Sequence, residues 1–137
     1  MIKKILLIFT LIAFSSCSDN SLPDNCLRPV FVQINTDLNL PQFNNLVIGN
    51  AVELNGGAKG IIVFRKKTDE YAAFDRICPL NDCNTPMVYE NRLLKCSCDG
   101  GTYSLDFGGA PQTDNFICPA LEYRAIQRGS SLSITNF

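Results

Sequence analysis

The chain has 137 residues, enough for one compact domain, and carries 12 lysines and arginines against 13 acids. Basic side chains cluster only at Arg65-Lys66-Lys67, so the charge pattern gives no sign of a nucleic-acid surface. There is no tryptophan and, more consequentially, no histidine, which removes the side chain most used as general base and imidazole metal ligand.

Residues 1–16 read as an export signal. Lys3 and Lys4 give a positive start, residues 5–14 form an apolar run, and Ser15-Ser16 are small residues ahead of Cys17. The apolar run is too short to cross a bilayer. Cys17-Ser18-Asp19 after that run resembles a bacterial lipobox, with Phe14 where an aliphatic residue is usual. Cleavage before Cys17 would leave it lipidated, and several acyl chains anchor stably where one does not. The resemblance implies an exported envelope lipoprotein, on the periplasmic or outer-membrane face. Losing Lys3 and Lys4 with the signal would move the formal charge from −1 to −3.

Residues 17–29 follow as the lipidated cysteine and a polar tether, and residues 30–137 form the body. Residues 30–38, VFVQINTDL, alternate and are β-branched, which predicts a strand. Residues 40–57 predict one or two strands with Asn/Gly turns. The apolar run at 60–66 predicts a buried strand, and 71–77 another after a turn at 67–70. Residues 87–90 and 92–96 predict a hairpin around Asn91. A short strand at 101–106 precedes a loop at 108–115, and 121–127 with 131–137 predict a last hairpin around Arg128-Gly129-Ser130. No segment has a convincing amphipathic helical period. The expected class is all-β, a small antiparallel sandwich or barrel.

Apart from Cys17 there are six cysteines: 26, 78, 83, 96, 98 and 118. An even count in an exported chain points first to disulfides, though the count alone leaves the pairing open. Four sit in two loops, Cys78-Pro-Leu-Asn-Asp-Cys83 and Cys96-Ser-Cys98-Asp-Gly-Gly101. The spacing is unlike a zinc ribbon, which uses CxxC knuckles. Nor does it favour thiol–disulfide catalysis: there is no CxxC, and only Lys95 stands nearby to lower a thiol pKa. Asp75 and Asp106 lie on separate strands with no spacing that makes them an acid–base pair. No nucleophile–base pair and no phosphate loop is evident, so no enzyme is expected.

From about Gly60 to Phe137 the chain resembles a Rieske domain. That family carries C-x-H-x-G-C in one loop and C-P-C-H-G-S in a second. The first Cys and the His of each loop hold a [2Fe–2S] cluster, and the remaining two cysteines join the loops. The resemblance puts Cys78 and Cys96 on the ligand-cysteine positions and Leu80 and Asp99 on the histidine positions. It implies a Cys83–Cys98 disulfide. Tyr71 to Pro79, the Gly-Gly-Ala-Pro turn at 108–111 and Leu121 to Ala125 resemble the family's flanking segments. A narrower likeness is to Bacteroidetes Rieske-like lipoproteins that lack the histidines.

The departures set the functional expectation. Two imidazoles hold one iron of a Rieske centre and raise its potential. Leu80 has no donor atom, Asp99 is a harder oxygen ligand, and no histidine exists to substitute, so an ordinary Rieske cluster is excluded. Cys78 and Cys96, which share an iron in the family, could then bond to one another, leaving Cys26 and Cys118 as the third pair. Asp99 before Gly-Gly reads as a turn former and Tyr103 as core; Leu80 reads as filling the space left by cluster and imidazole in preference to an exposed contact residue near the loop tip. The expected function is a clusterless, disulfide-stapled module at the envelope that binds a protein or envelope component, with no metal. The alternative is electron transfer through an atypical [2Fe–2S] cluster on Cys78, Cys96 and Asp99, with Cys83 or Cys98 recruited.

Overall fold

The computed structural model describes Pro23, residues 25–80 and residues 83–136. The expected signal, Cys17 and the first part of the tether lie outside the described residues. Among the described residues, ten strands form two antiparallel sheets. The larger is ordered β1 (Gln33–Asp37), β10 (Ser131–Thr135), β9 (Glu122–Arg128), β4 (Glu70–Asp75), β3 (Ile61–Lys67), β2 (Ala51–Leu54). The smaller runs β5 (Val88–Glu90), β6 (Leu93–Lys95), β7 (Thr102–Ser104), β8 (Ala110–Pro111). The fold is all-β, as the strand pattern predicts.

The apolar run Ile61 to Phe64 is buried throughout because β3, an inner strand, has a core against each of its faces. Alternate residues serve different cores. Ile62 and Phe64, with Ala72 and Phe74 of β4, face the smaller sheet and the cysteines. Ile61 and Val63, with Tyr71 and Ala73, face a second core closed by Phe43, Leu46, Leu132 and Ile134.

Two segments hold features that were not expected. Residues 40–57 hold one strand, β2, within the one or two expected, but a one-turn 3-10 helix at Pro41–Phe43 precedes it. Pro41 has no N–H to give a sheet ladder and its fixed φ suits the first position of a helical turn. The turn closes through Phe43 N–H to Leu40 O at 2.9 Å and drives Phe43 and Leu46 into the second core. Within the expected loop at 108–115, Ala110 and Pro111 pair with Ser104 and Tyr103 as an edge strand, where a proline is tolerated.

The β5–β6 hairpin turns through Asn91 and Arg92 at φ 49° and 67°, the left-handed pair of a tight type I′ turn. Asparagine suits this region and arginine does not. Arg92 is held there by its surroundings: Nε and Nη2 donate to the two Asp106 carboxylate oxygens at 2.8 and 2.6 Å, and its guanidinium lies 5.3 Å from the Phe64 ring centre.

Candidate functional site

The first cysteine loop leaves the end of β4. Its root is Asp75, a fully buried carboxylate. Asp75 accepts hydrogen bonds from the backbone N–H groups of Ala58 (2.6 Å), Lys59 (3.1 Å) and Ile77 (2.9 Å) and from the Tyr123 hydroxyl (2.8 Å). One side chain thereby joins the β2–β3 turn, β9 and the residue before Cys78. Burial, and then the bond to Asp75, push the Tyr123 phenol well above its ordinary pKa. Gly57, at φ 62°, leaves no room for a side chain: a Cβ there would strike the Asp75 carboxylate.

Arg76 closes the neck of the loop. Its N–H bonds Gly60 O at 2.9 Å, Met87 N–H bonds its carbonyl at 2.6 Å, and its Nε donates to Met87 O at 2.8 Å. An ion pair to Glu53 at 2.6 Å fixes the guanidinium. The bonds between Arg76 and Met87 therefore close the chain where it leaves and rejoins the sheets.

The second loop is closed the same way. Cys96 N–H bonds Gly101 O at 2.8 Å and Gly100 N–H bonds Cys96 O at 3.0 Å. Asp99 Oδ1 accepts from Gly101 N–H at 2.7 Å, the turn-forming role expected of it. Gly100 sits at φ 73°, and a Cβ on Gly101 would meet the Tyr103 hydroxyl at 2.8 Å and the Phe116 ring at 2.9 Å. Both glycines are thus required, one by conformation and one by space. Tyr103 is fully buried in the core, as expected.

The loops meet through sulfur. Cys78 is bonded to Cys96, Cys83 to Cys98 and Cys26 to Cys118, with Cα separations of 5.6, 5.7 and 5.4 Å. All three Cα separations lie within the usual range for a disulfide. Cys78 and Cys96 are fully buried and Cys83 nearly so, packed with Met87, Leu94 and Tyr103; Cys98 is exposed. The sulfurs of Cys78, Cys83 and Cys96 all lie within 4.8 Å of one another. Among the described residues, Asp99 does not join that group.

Leu80 departs from expectation. It is 50 % exposed at the tip of the first loop and does not fill the interior. With Cys78 and Cys96 joined directly, Met87, Leu94 and Tyr103 pack around the sulfurs. Asp75 is the residue that spacing did not single out. Its one sequence signal is an acid closing the apolar strand Tyr71-Ala72-Ala73-Phe74.

The donor set differs from that of a Rieske centre. The two ligand-position sulfurs are bonded to each other, Leu80 offers no ligand atom, and one Asp99 oxygen is engaged by Gly101. In this pairing the residues do not fit a [2Fe–2S] cluster with two imidazole ligands.

No protein-family model matches the chain, and no curated protein matches it. Solved structures do. The ferredoxin of carbazole 1,9a-dioxygenase from Nocardioides aromaticivorans IC177 matches with a TM-score of 0.50 at 17 % identity, over 81 % of this chain and 100 % of that one. A chain from the complex of reduced oxygenase and oxidized ferredoxin in carbazole 1,9a-dioxygenase matches with a TM-score of 0.50 at 14 % identity, over 76 % and 93 %. The NMR structure of the E. coli protein NirD matches with a TM-score of 0.45 at 12 % identity, over 74 % and 96 %. At such identities the first two likenesses speak for the fold alone: it is the Rieske-like ferredoxin fold.

Proposed function

We propose that this protein is a Rieske-like domain that has given up its iron–sulfur cluster and works as a disulfide-stapled binding module, held at the cell envelope by lipid on Cys17. The observation that carries the reading is the bond between Cys78 and Cys96, the two cysteines at the ligand positions. A sulfur committed to a disulfide does not ligate iron as a thiolate. The absence of histidine from the whole chain agrees.

The lipid reading rests on the leader and the Cys17-Ser18-Asp19 sequence, and the three disulfides suit an exported chain. Its consequence is direct: Cys17→Ser shifts the protein from the membrane to the soluble fraction, whereas retention at the membrane rules the anchor out. In this reading the partner is a protein or envelope component that meets the first cysteine loop, where Leu80 is 50 % exposed. The protein is not a catalyst in its own right.

The closeness of three sulfurs favours a second reading, electron transfer through a thiolate-rich [2Fe–2S] cluster. It requires both loop disulfides to be absent in the cell. Iron and acid-labile sulfide, measured on protein isolated without oxygen from its host's membranes, separate the two. The binding-module reading expects neither. Iron and sulfide in equal amounts establish the second.

A further inference from the structure

Two disulfides that lie against each other need not be independent. The inner one, Cys78–Cys96, is fully buried, whereas the outer one, Cys83–Cys98, ends at the exposed Cys98. Cys83 belongs to the outer bond, yet its sulfur lies within 4.8 Å of both sulfurs of the inner one. If the outer bond opens, the sulfur left inside is next to a second disulfide.

We propose that the four sulfurs form one thiol–disulfide exchange unit that takes an electron pair from a dithiol at the surface and passes the bond rearrangement inward through Cys83. A partner dithiol enters as a thiolate and attacks the Cys98 sulfur. A bond to Cys98 forms, the Cys83–Cys98 bond breaks, and Cys83 leaves as a thiolate. The partner's second thiolate then attacks the partner's own sulfur in the mixed disulfide. Cys98 departs and takes a proton, and the partner leaves oxidised by two electrons, its two sulfurs joined. The Cys83 thiolate next attacks Cys78 or Cys96, forming one new bond and releasing the other sulfur as a thiolate, with no net change in electrons. The domain ends with a Cys83–Cys78 or Cys83–Cys96 bond, a thiol at Cys98 and a thiol in the former ligand pair.

The direction follows from access. Attack on the inner bond from solvent is blocked by the packing around Cys78 and Cys96, so the exposed residue, Cys98, is the way in. The third disulfide, Cys26–Cys118, takes no part; Cys26 precedes β1 and Cys118 lies in the segment before β9, outside both cysteine loops. This is stoichiometric exchange with a partner dithiol, and it rests on the Cys78–Cys96 pairing that underlies the proposed function.

The test uses the variant Cys98→Ser, which places a free thiol at Cys83 beside an intact inner disulfide. Native protein is alkylated, and the labelled cysteines and the remaining bond are mapped by peptide mass. Sharing of the label among Cys78, Cys83 and Cys96 is expected; label confined to Cys83, with Cys78–Cys96 intact, overturns the proposal. The companion variant Cys83→Ser leaves only the outer thiol at Cys98, and is expected to carry label there alone. Equal scrambling in that variant overturns the role of Cys83.

Wild-type protein treated with one equivalent of dithiothreitol covers the case in which a variant fails to fold. Label at Cys98 together with Cys78 or Cys96 is expected. Label at Cys98 together with Cys83, or at Cys78 and Cys96 with the outer bond intact, overturns the proposal. Iron in place of the inner bond would sink the proposed function as well, whereas an intact but inert inner bond sinks only this inference.

Discussion

The two sheets are held by different means. Five of the six strands of the larger sheet have five to seven residues, and its β3 and β4 feed apolar side chains to cores on both faces. The smaller sheet has strands of two or three residues, and a short sheet of this kind is marginal by itself. What it lacks in burial it gains in cross-links: Cys78–Cys96 and Cys83–Cys98 join its β6–β7 loop to the loop that leaves the larger sheet at β4. The difference teaches where each kind of substitution should hurt. The large sheet should answer to buried polar and apolar changes, the small one to loss of sulfur.

The largest expected effect lies at the junction. Asp75→Ala would leave two buried donors, Ile77 N–H and the Tyr123 hydroxyl, and two partly buried ones, Ala58 N–H and Lys59 N–H, without their acceptor. Unmet buried donors cost about 1–3 kcal/mol each, so a loss of roughly 4 kcal/mol or more is expected in urea denaturation. A change under about 1 kcal/mol would show that the carboxylate does not join the two regions. Tyr123→Phe removes one of those bonds and should cost about 1–2 kcal/mol.

The disulfides rank next, by the length of chain each closes. Removing Cys26–Cys118, with a sequence separation of 92, should cost about 4–5 kcal/mol in the chain-entropy account, against about 3 kcal/mol for either loop pair at separations of 18 and 15. The two loop pairs interleave, so removing both should cost less than the sum. An additive result would mean that they restrain separate segments.

The smallest effect concerns acid. Arg92 holds the Asp106 carboxyl below its ordinary pKa, chiefly by the paired hydrogen bonds. Because the folded value is the lower one, this contribution is fully present above the unfolded value and fades as pH falls through the folded one. Asp106→Asn should therefore weaken the protein slightly at neutral pH and flatten its stability in that acid window. The pair is partly exposed, so the change should be the least of the series.

Much of this was legible in the sequence, and unevenly. The apolar run at Ile61 to Phe64 and the turn residues at Asn91 and Gly129 placed strands and hairpins because period and turn chemistry are local. The pairing of Cys78 with Cys96 and Cys83 with Cys98 followed from the resemblance to a two-loop family, not from spacing. Three features were not legible. Pro41 starts a helical turn rather than interrupting a strand, because Phe43 and Leu46 have a core to enter. Leu80 is half exposed, and Met87, Leu94 and Tyr103 pack with the sulfurs in its place. Asp75 gains its role from Ala58, Lys59 and Tyr123, which sequence distance hides.

The central claim is that the cluster-ligand cysteines now hold each other. The most direct measurement is non-reducing peptide mapping of the chain, isolated without oxygen from its host's membranes and alkylated at lysis. The account predicts a Cys78–Cys96 linked peptide with neither residue alkylated. Free, alkylatable Cys78 and Cys96, accompanied by iron in the preparation, would contradict it.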